Sequence, residues 1–169
     1  MLAIREEGSG GEPLVLVHGA GTSGAIWRRA MGLLATGRKV VAPDVPGYGG
    51  SPPAGRGFAL DEVTERLADG LDEAGVAAPY DLVGHSMGGG IAILLAARHP
   101  ERVRRLVLVA PAGMAALPRA VAGLLGAVAA PYAIARRRLA SPLADSALVR
   151  RLALAGVAYD GARVPAEHA

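Results

Sequence analysis

Short uninterrupted apolar runs alternate along the chain with longer segments in which apolar positions return every three or four residues. LVLV (Leu14 to Val17), KVVAPDV (Lys39 to Val45), YDLVG (Tyr80 to Gly84) and RLVLVA (Arg105 to Ala110) are the runs, and residues 2 to 7 can form a further short strand. Runs of this length bounded by Gly and Pro read as strands of an α/β core, with LVLV as a buried one. Between them the pattern predicts a helix from near Ala25 to Gly37, with Trp27 and Leu33. A second helix is capped by Asp61 and runs to about Ala74, with Val63, Leu67 and Leu71 spaced by four. A third covers SMGGGIAILLAARH, Ser86 to His99. The Gly- and Pro-dense PGYGGSPPAGRG reads as a surface loop. Strands alternating with helices require crossover connections, so the expected class is α/β, a mostly parallel sheet flanked by helices on both faces.

The alternation stops at residue 110. From Ala115 to Gly161 there are only Ala/Leu/Arg-rich helical segments, with Pro118, Pro131 and Pro142 where first turns can begin. Two regions are therefore expected, a core over 1–114 and a helical segment and tail over 115–169.

Composition narrows the chemistry. The 169 residues suit one domain, and 51% hydrophobic with only 4% aromatic residues means a core of aliphatic side chains. Without cysteine there are no disulfides or thiolate metal sites, and His18, His85, His99 and His168 lack the spacing of a zinc site, so no metal is expected. The formal charge is +3, and all but Lys39 of the 18 basic residues are arginine. Arg136, Arg137 and Arg138 form the densest run, but no aromatics are interleaved with it, so it reads as a solvated helix face and not as a nucleic-acid site. The longest uncharged stretch, Ala120 to Ala135, has 16 residues and contains Pro131. A membrane-spanning helix needs roughly 20. The N-terminal MLAIREEGSGG carries acids and no long apolar region, so no secretory leader is expected and the cytoplasm is the default location.

Two Gly-rich turns are candidates for function. In the first, HGAGTSG, Gly19, Gly21 and Gly24 satisfy G-x-G-x-x-G between a strand and a helix. Asp44 follows 20 residues after Gly24, where a dinucleotide-binding fold keeps its ribose carboxylate. In the second, GHSMGGG, Ser86 stands between Gly84 and Gly88 in G-x-S-x-G, again between a strand and a helix. That is the pattern of a nucleophile elbow, whose strained serine tolerates no side chain two positions before or after it. Dinucleotide binding leaves the second turn unexplained, whereas hydrolysis uses both. The loop after LVLV would supply one oxyanion-hole N–H, from Ala20 with Gly21 as the alternative. The other would be that of Met87, at the positive end of a helix dipole.

The segments LVLVHGAGTSGAIW, VVAPDVPGYGGSPP and YDLVGHSMGGGIAILLAARHPERVRRLVLVAPAG resemble the α/β-hydrolase superfamily and run in its order over residues 2 to about 114. The similarity is to its esterase, C–C hydrolase and lactonase-like branches. The resemblance implies that Ser86 attacks an ester, lactone or activated C–C bond of a small molecule, without a cofactor. It also implies an oxyanion hole of Ala20 and Met87, a structural Asp44, and a helical cap beginning in 115–161. A serine at the elbow, where related enzymes place aspartate, argues against dehalogenase and epoxide-hydrolase chemistry.

In this family the acid and then the histidine follow the cap. The resemblance assigns His18 to the oxyanion loop, His85 to a position pointing away from the pocket, and His99 to a helix end. His168 has the required order, with Asp160 as its formal acid, yet both lie in the tail YDGARVPAEHA with no strand to hold them. The expectation is the N-terminal part of a serine hydrolase, nearly inactive as this chain because a triad without its base loses most of its turnover. The family's strand preceding residues 2 to 7 is also absent from the pattern, and RLVLVA is expected to form an exposed apolar edge through which the chain self-associates. Two other readings stay open: a catalytically dead hydrolase-like scaffold, and a dinucleotide-binding domain centred on Asp44.

Overall fold

A computed structural model describes residues 1–55 and 59–113. The cap-like segment and tail expected over 115–169, with Asp160 and His168, lie outside the described residues. Five strands form one sheet: β1 (Ile4–Glu7), β2 (Leu14–Val17), β3 (Val40–Pro43), β4 (Tyr80–His85) and β5 (Val103–Val109). Their order is β1-β3-β2-β4-β5. The pairs β2–β3, β2–β4 and β4–β5 are parallel, and β1 runs antiparallel along β3 with Ile4 opposite Pro43.

The helices are α1 (Arg28–Leu34), α2 (Leu60–Glu73) and α3 (Met87–Arg98). The first begins later than the sequence suggests. Gly24–Trp27 is a 3₁₀ turn, because the Ser23 hydroxyl accepts the Ala25 N–H and starts the chain in a tighter winding. Nor does Asp61 cap α2. Ala59 is the N-cap, without a side-chain bond, and Asp61 and Glu62 sit in the first turn. There their charge favours the positive end of the helix dipole, a different stabilisation from capping.

Alternation along the strands divides the core between the two faces of the sheet. Val15, Val17, Val41, Tyr80 and Leu82 pack with Val63, Leu67 and Leu71 of α2 and Ile91, Ala92 and Leu95 of α3. On the opposite face Leu14, Leu16, Val40 and Ala42 pack with Met31 of α1, and Trp27 and Val83 close over them. All four residues of β2 and of β3 are buried, which explains their unbroken apolar runs. Asp81 fixes the start of β4. It accepts from Arg104 at 2.9 Å through both carboxylate oxygens and from Arg38 at 3.0 Å. The Arg104 hydrogen bonds, and then Arg38, hold its carboxyl below the usual carboxylate range.

Candidate active site

The strand order places β3 on one side of β2 and β4 on the other. Where successive strands go to opposite sides, their carboxyl ends open a crevice, the usual place for a ligand in a parallel sheet. Here β2 delivers His18 and Gly19 to that crevice, and β4 delivers Ser86.

Ser86 links β4 to α3 with φ 52° and ψ −119°, a positive φ that an L-residue adopts only when its surroundings enforce it. Those surroundings are visible. The Ser86 N–H donates to the Val109 carbonyl at 3.0 Å, and the Ser86 carbonyl accepts from Gly89 at 2.9 Å and Ala112 at 2.8 Å. The flanking glycines permit the approach. A Cβ on Gly84 would stand 2.5 Å from the Gly88 carbonyl oxygen, and one on Gly88 would stand 2.5 Å from the carbonyl oxygens of Val17 and His18. Strand, turn and helix thus close on one another without room for a methyl group.

Gly19 lies directly over the elbow. A Cβ there would come within 3.1 Å of both the Ser86 Cβ and His85 Nδ1. Ala20, the next residue, is exposed, and among the described residues nothing accepts its N–H. Met87 opens α3, and its N–H belongs to the first turn, where no intrahelical carbonyl is available. The sequence-identified Ser86, Met87 and Ala20 loop are therefore brought to one place. The His85 ring lies against Gly19, and its Nδ1 is buried without a hydrogen-bond partner among the described residues.

His18 is fully buried and its tautomer is fixed. The Val45 N–H can only donate, and it meets Nε2 at 2.9 Å, so Nε2 accepts and the proton sits on Nδ1. Nδ1–H faces the Gly19 carbonyl oxygen at 2.8 Å, with the Thr22 hydroxyl 3.2 Å away. Thr22 also donates to the Gly19 carbonyl at 2.8 Å. Burial lowers the His18 pKa below its ordinary value. The Gly19 hydrogen bond and the Asp44 charge oppose that shift, while Arg5 and His85 add to it. Thr22 carried no signal in the sequence, since it occupies an unspecified position of the Gly motif and its partner is a backbone oxygen.

Asp44 is turned inward. One carboxylate oxygen accepts from the Gly24 N–H at 2.7 Å and from Arg5 at 3.0 Å, and the other accepts from the Gly50 N–H at 2.8 Å. Ser51 donates to its backbone carbonyl at 2.7 Å. A buried carboxylate so saturated ties together β1, the 3₁₀ turn and the loop after β3. His99 closes α3 and pairs through Nε2 with Glu65 at 2.9 Å. Among the described residues no side chain is hydrogen-bonded to the Ser86 hydroxyl, no cluster of His, Cys, Asp or Glu could hold a metal ion, and no helix is long and apolar enough to cross a membrane.

Comparison with known proteins gives this geometry a context. The family model described as the alpha/beta hydrolase fold matches residues 12–145. The chain is 47% identical over 108 residues to a 2-hydroxymuconate semialdehyde hydrolase of Pseudomonas sp. (strain CF600), a match covering 62% of this chain and 38% of that protein. It is 42% identical over 147 residues to the dihydrolipoyllysine-residue acetyltransferase component of an acetoin cleaving system of Pseudomonas putida, covering 85% of this chain and 39% of the relative. Among solved structures, the N-acyl homoserine lactonase AidH complexed with N-butanoyl homoserine superposes with a TM-score of 0.59 at 30% identity, over 65% of this chain and 41% of that one. The chain thus spans about 38–39% of the length of these curated relatives.

Proposed function

The chain belongs to the alpha/beta hydrolase fold family, and on that premise we propose that Ser86 is the nucleophile of a hydrolase acting on the carbonyl group of a small molecule. The observation that carries this reading is the positive-φ Ser86 held between β4 and α3 with Gly19 against its Cβ. The substrate classes are an ester, a lactone or a C–C bond beside a carbonyl, in keeping with the names of the semialdehyde hydrolase and the lactonase.

In the proposed reaction the Ser86 Oγ attacks the carbonyl carbon while a general base takes its proton. The carbonyl oxygen, now negative, is held by the N–H groups of Ala20 and Met87, the latter at the positive end of α3. Collapse of the tetrahedral adduct expels the leaving group, which receives the proton from the base, and leaves an acyl-Ser86 ester. Water then attacks that ester, giving up a proton to the base, and Ser86 is released with its own proton restored. His18 does not serve as the base, because both its ring nitrogens are committed to backbone partners. Since no described side chain is hydrogen-bonded to the Ser86 hydroxyl, the base in this proposal is a group outside the described residues. We further propose that β5, the exposed edge of the sheet, is where another strand attaches, in a second copy where no other strand covers it.

A fluorophosphonate probe tests the reading on the product of the complete reading frame. Covalent labelling at Ser86, abolished in Ser86→Ala, is the expected result. Undiminished labelling in Ser86→Ala would overturn it, as would saturable dinucleotide binding that disappears in Asp44→Ala.

A further inference from the structure

We infer that Thr22 is a positioning residue for the oxyanion hole, acting with His18 by gripping the Gly19 carbonyl and so aiming the Ala20 N–H. This rests on the hydrolase reading of Ser86. The Gly19–Ala20 bond is trans, and in a trans peptide the carbonyl of one residue and the N–H of the next point in opposite directions. Whatever fixes the Gly19 oxygen therefore fixes the direction of the Ala20 N–H.

Two donors fix it from the same side. His18 Nδ1–H and the Thr22 hydroxyl each stand 2.8 Å from the Gly19 oxygen. The His18 ring cannot swing away, because Nε2 is held by the Val45 N–H at 2.9 Å and the Tyr48 ring meets it edge-on with centroids 5.8 Å apart. Gly19 cannot slide toward the elbow either, since its Cα already lies so close that a Cβ would come within 3.1 Å of Ser86 Cβ. Rotation of the 19–20 peptide is the motion left to the loop, and the two bonds to the Gly19 oxygen oppose it. His18 keeps its grip as part of the core. Thr22 is half-buried and contributes its hydroxyl without belonging to the core, so it can be changed with little loss of packing.

An oxyanion donor acts on the negative oxygen of the tetrahedral adduct more than on the ground-state carbonyl. Thr22→Val removes the hydroxyl and keeps the shape, and Thr22→Ala removes both. In the product of the complete reading frame, both are expected to lower the fluorophosphonate labelling rate by about 10- to 100-fold, less than or equal to the loss on deleting a whole oxyanion donor. Affinity for an alkylboronic acid, which forms a tetrahedral adduct on the serine, should fall in parallel. The KM for p-nitrophenyl acetate and the affinity for acetate should stay unchanged, and Thr22→Ser should restore both rate and boronate affinity. A merely structural role for Thr22 would move KM and boronate affinity together, or neither. If Ser86→Ala abolishes labelling while both Thr22→Val and Thr22→Ala label and bind boronate as wild type, this inference is overturned and the hydrolase reading stands. If Ser86→Ala labels as wild type, the hydrolase reading is overturned and this inference with it.

Discussion

Protonating His18 would set two donors face to face, the Val45 N–H and a new Nε2–H. Burial already disfavours the charged ring and is the largest cause of its lowered pKa. The Asp44 carboxylate works against that shift, and Arg5 and His85 work with it. The sign of the pH dependence follows from proton counting. Below about pH 6.5, the ordinary imidazole pKa, the unfolded chain binds a proton at this position that the folded chain refuses. The stability contributed by the neutral ring is therefore complete above that pH and is lost as the pH falls toward the lowered folded value. Urea midpoints measured between about pH 7.5 and 5 should decline for the wild-type protein, in a window above most carboxylate titration. His18→Gln should start lower and decline less steeply. An equal slope in His18→Gln would mean that another group carries the effect.

Tightness distinguishes the β4–Ser86–α3 unit from an ordinary strand-to-helix turn. On Gly88 an added methyl would face two carbonyl oxygens at 2.5 Å, and neither is the movable end of a side chain. Gly88→Ala should thus destabilise at the upper end of the ~1–3 kcal/mol typical of overpacking. Gly90, two residues along the same helix, is the control. Its Cβ would approach only the Ala112 carbonyl, at 3.2 Å, and alanine favours a helix over glycine by about 0.5–1 kcal/mol, so Gly90→Ala should be near neutral. Equal losses in chemical unfolding of the two variants would show that the elbow is not closely packed. The same unit shows why much of this protein could be read from its sequence. Ser86, its two glycines, the apolar strand and the helix occupy one short window, so local pattern sufficed. Other features were beyond it. That β1 runs antiparallel to β3 depends on where a distant strand arrives, whereas Ala59 starting α2 and Thr22 holding the Gly19 oxygen are local, but rest on backbone geometry that residue type does not mark. Asp44 illustrates the ambiguity best. Its spacing from the Gly-rich turn fits a ribose carboxylate, yet in the fold the same spacing brings the Gly24 N–H onto its own oxygen at 2.7 Å.

The two edges of the sheet differ in how they meet solvent. β1 has the sequence IREE, in which Arg5 pairs with Asp44 and Glu6 with Lys39, so polar and charged side chains accompany its free hydrogen-bonding groups. Charges on an edge strand discourage pairing with another chain. β5 has the sequence VRRLVLV, and past its arginines Leu106, Val107 and Val109 are 38%, 52% and 44% exposed. Among the described residues no strand lies beyond it. An apolar edge of this kind gains both backbone hydrogen bonds and hydrophobic burial by accepting a strand, and two copies can offer β5 to each other about a two-fold axis. The 169-residue chain should therefore show concentration-dependent association in sedimentation velocity, and Val107→Lys should shift it toward the monomer, since a lysine on the edge must be desolvated when a strand pairs there. Unfolding of the variant should stay close to that of the wild type, because Val107 is already half exposed. A wild-type chain that remains monomeric at every concentration, or a variant that associates as strongly, would show that β5 is not the surface used.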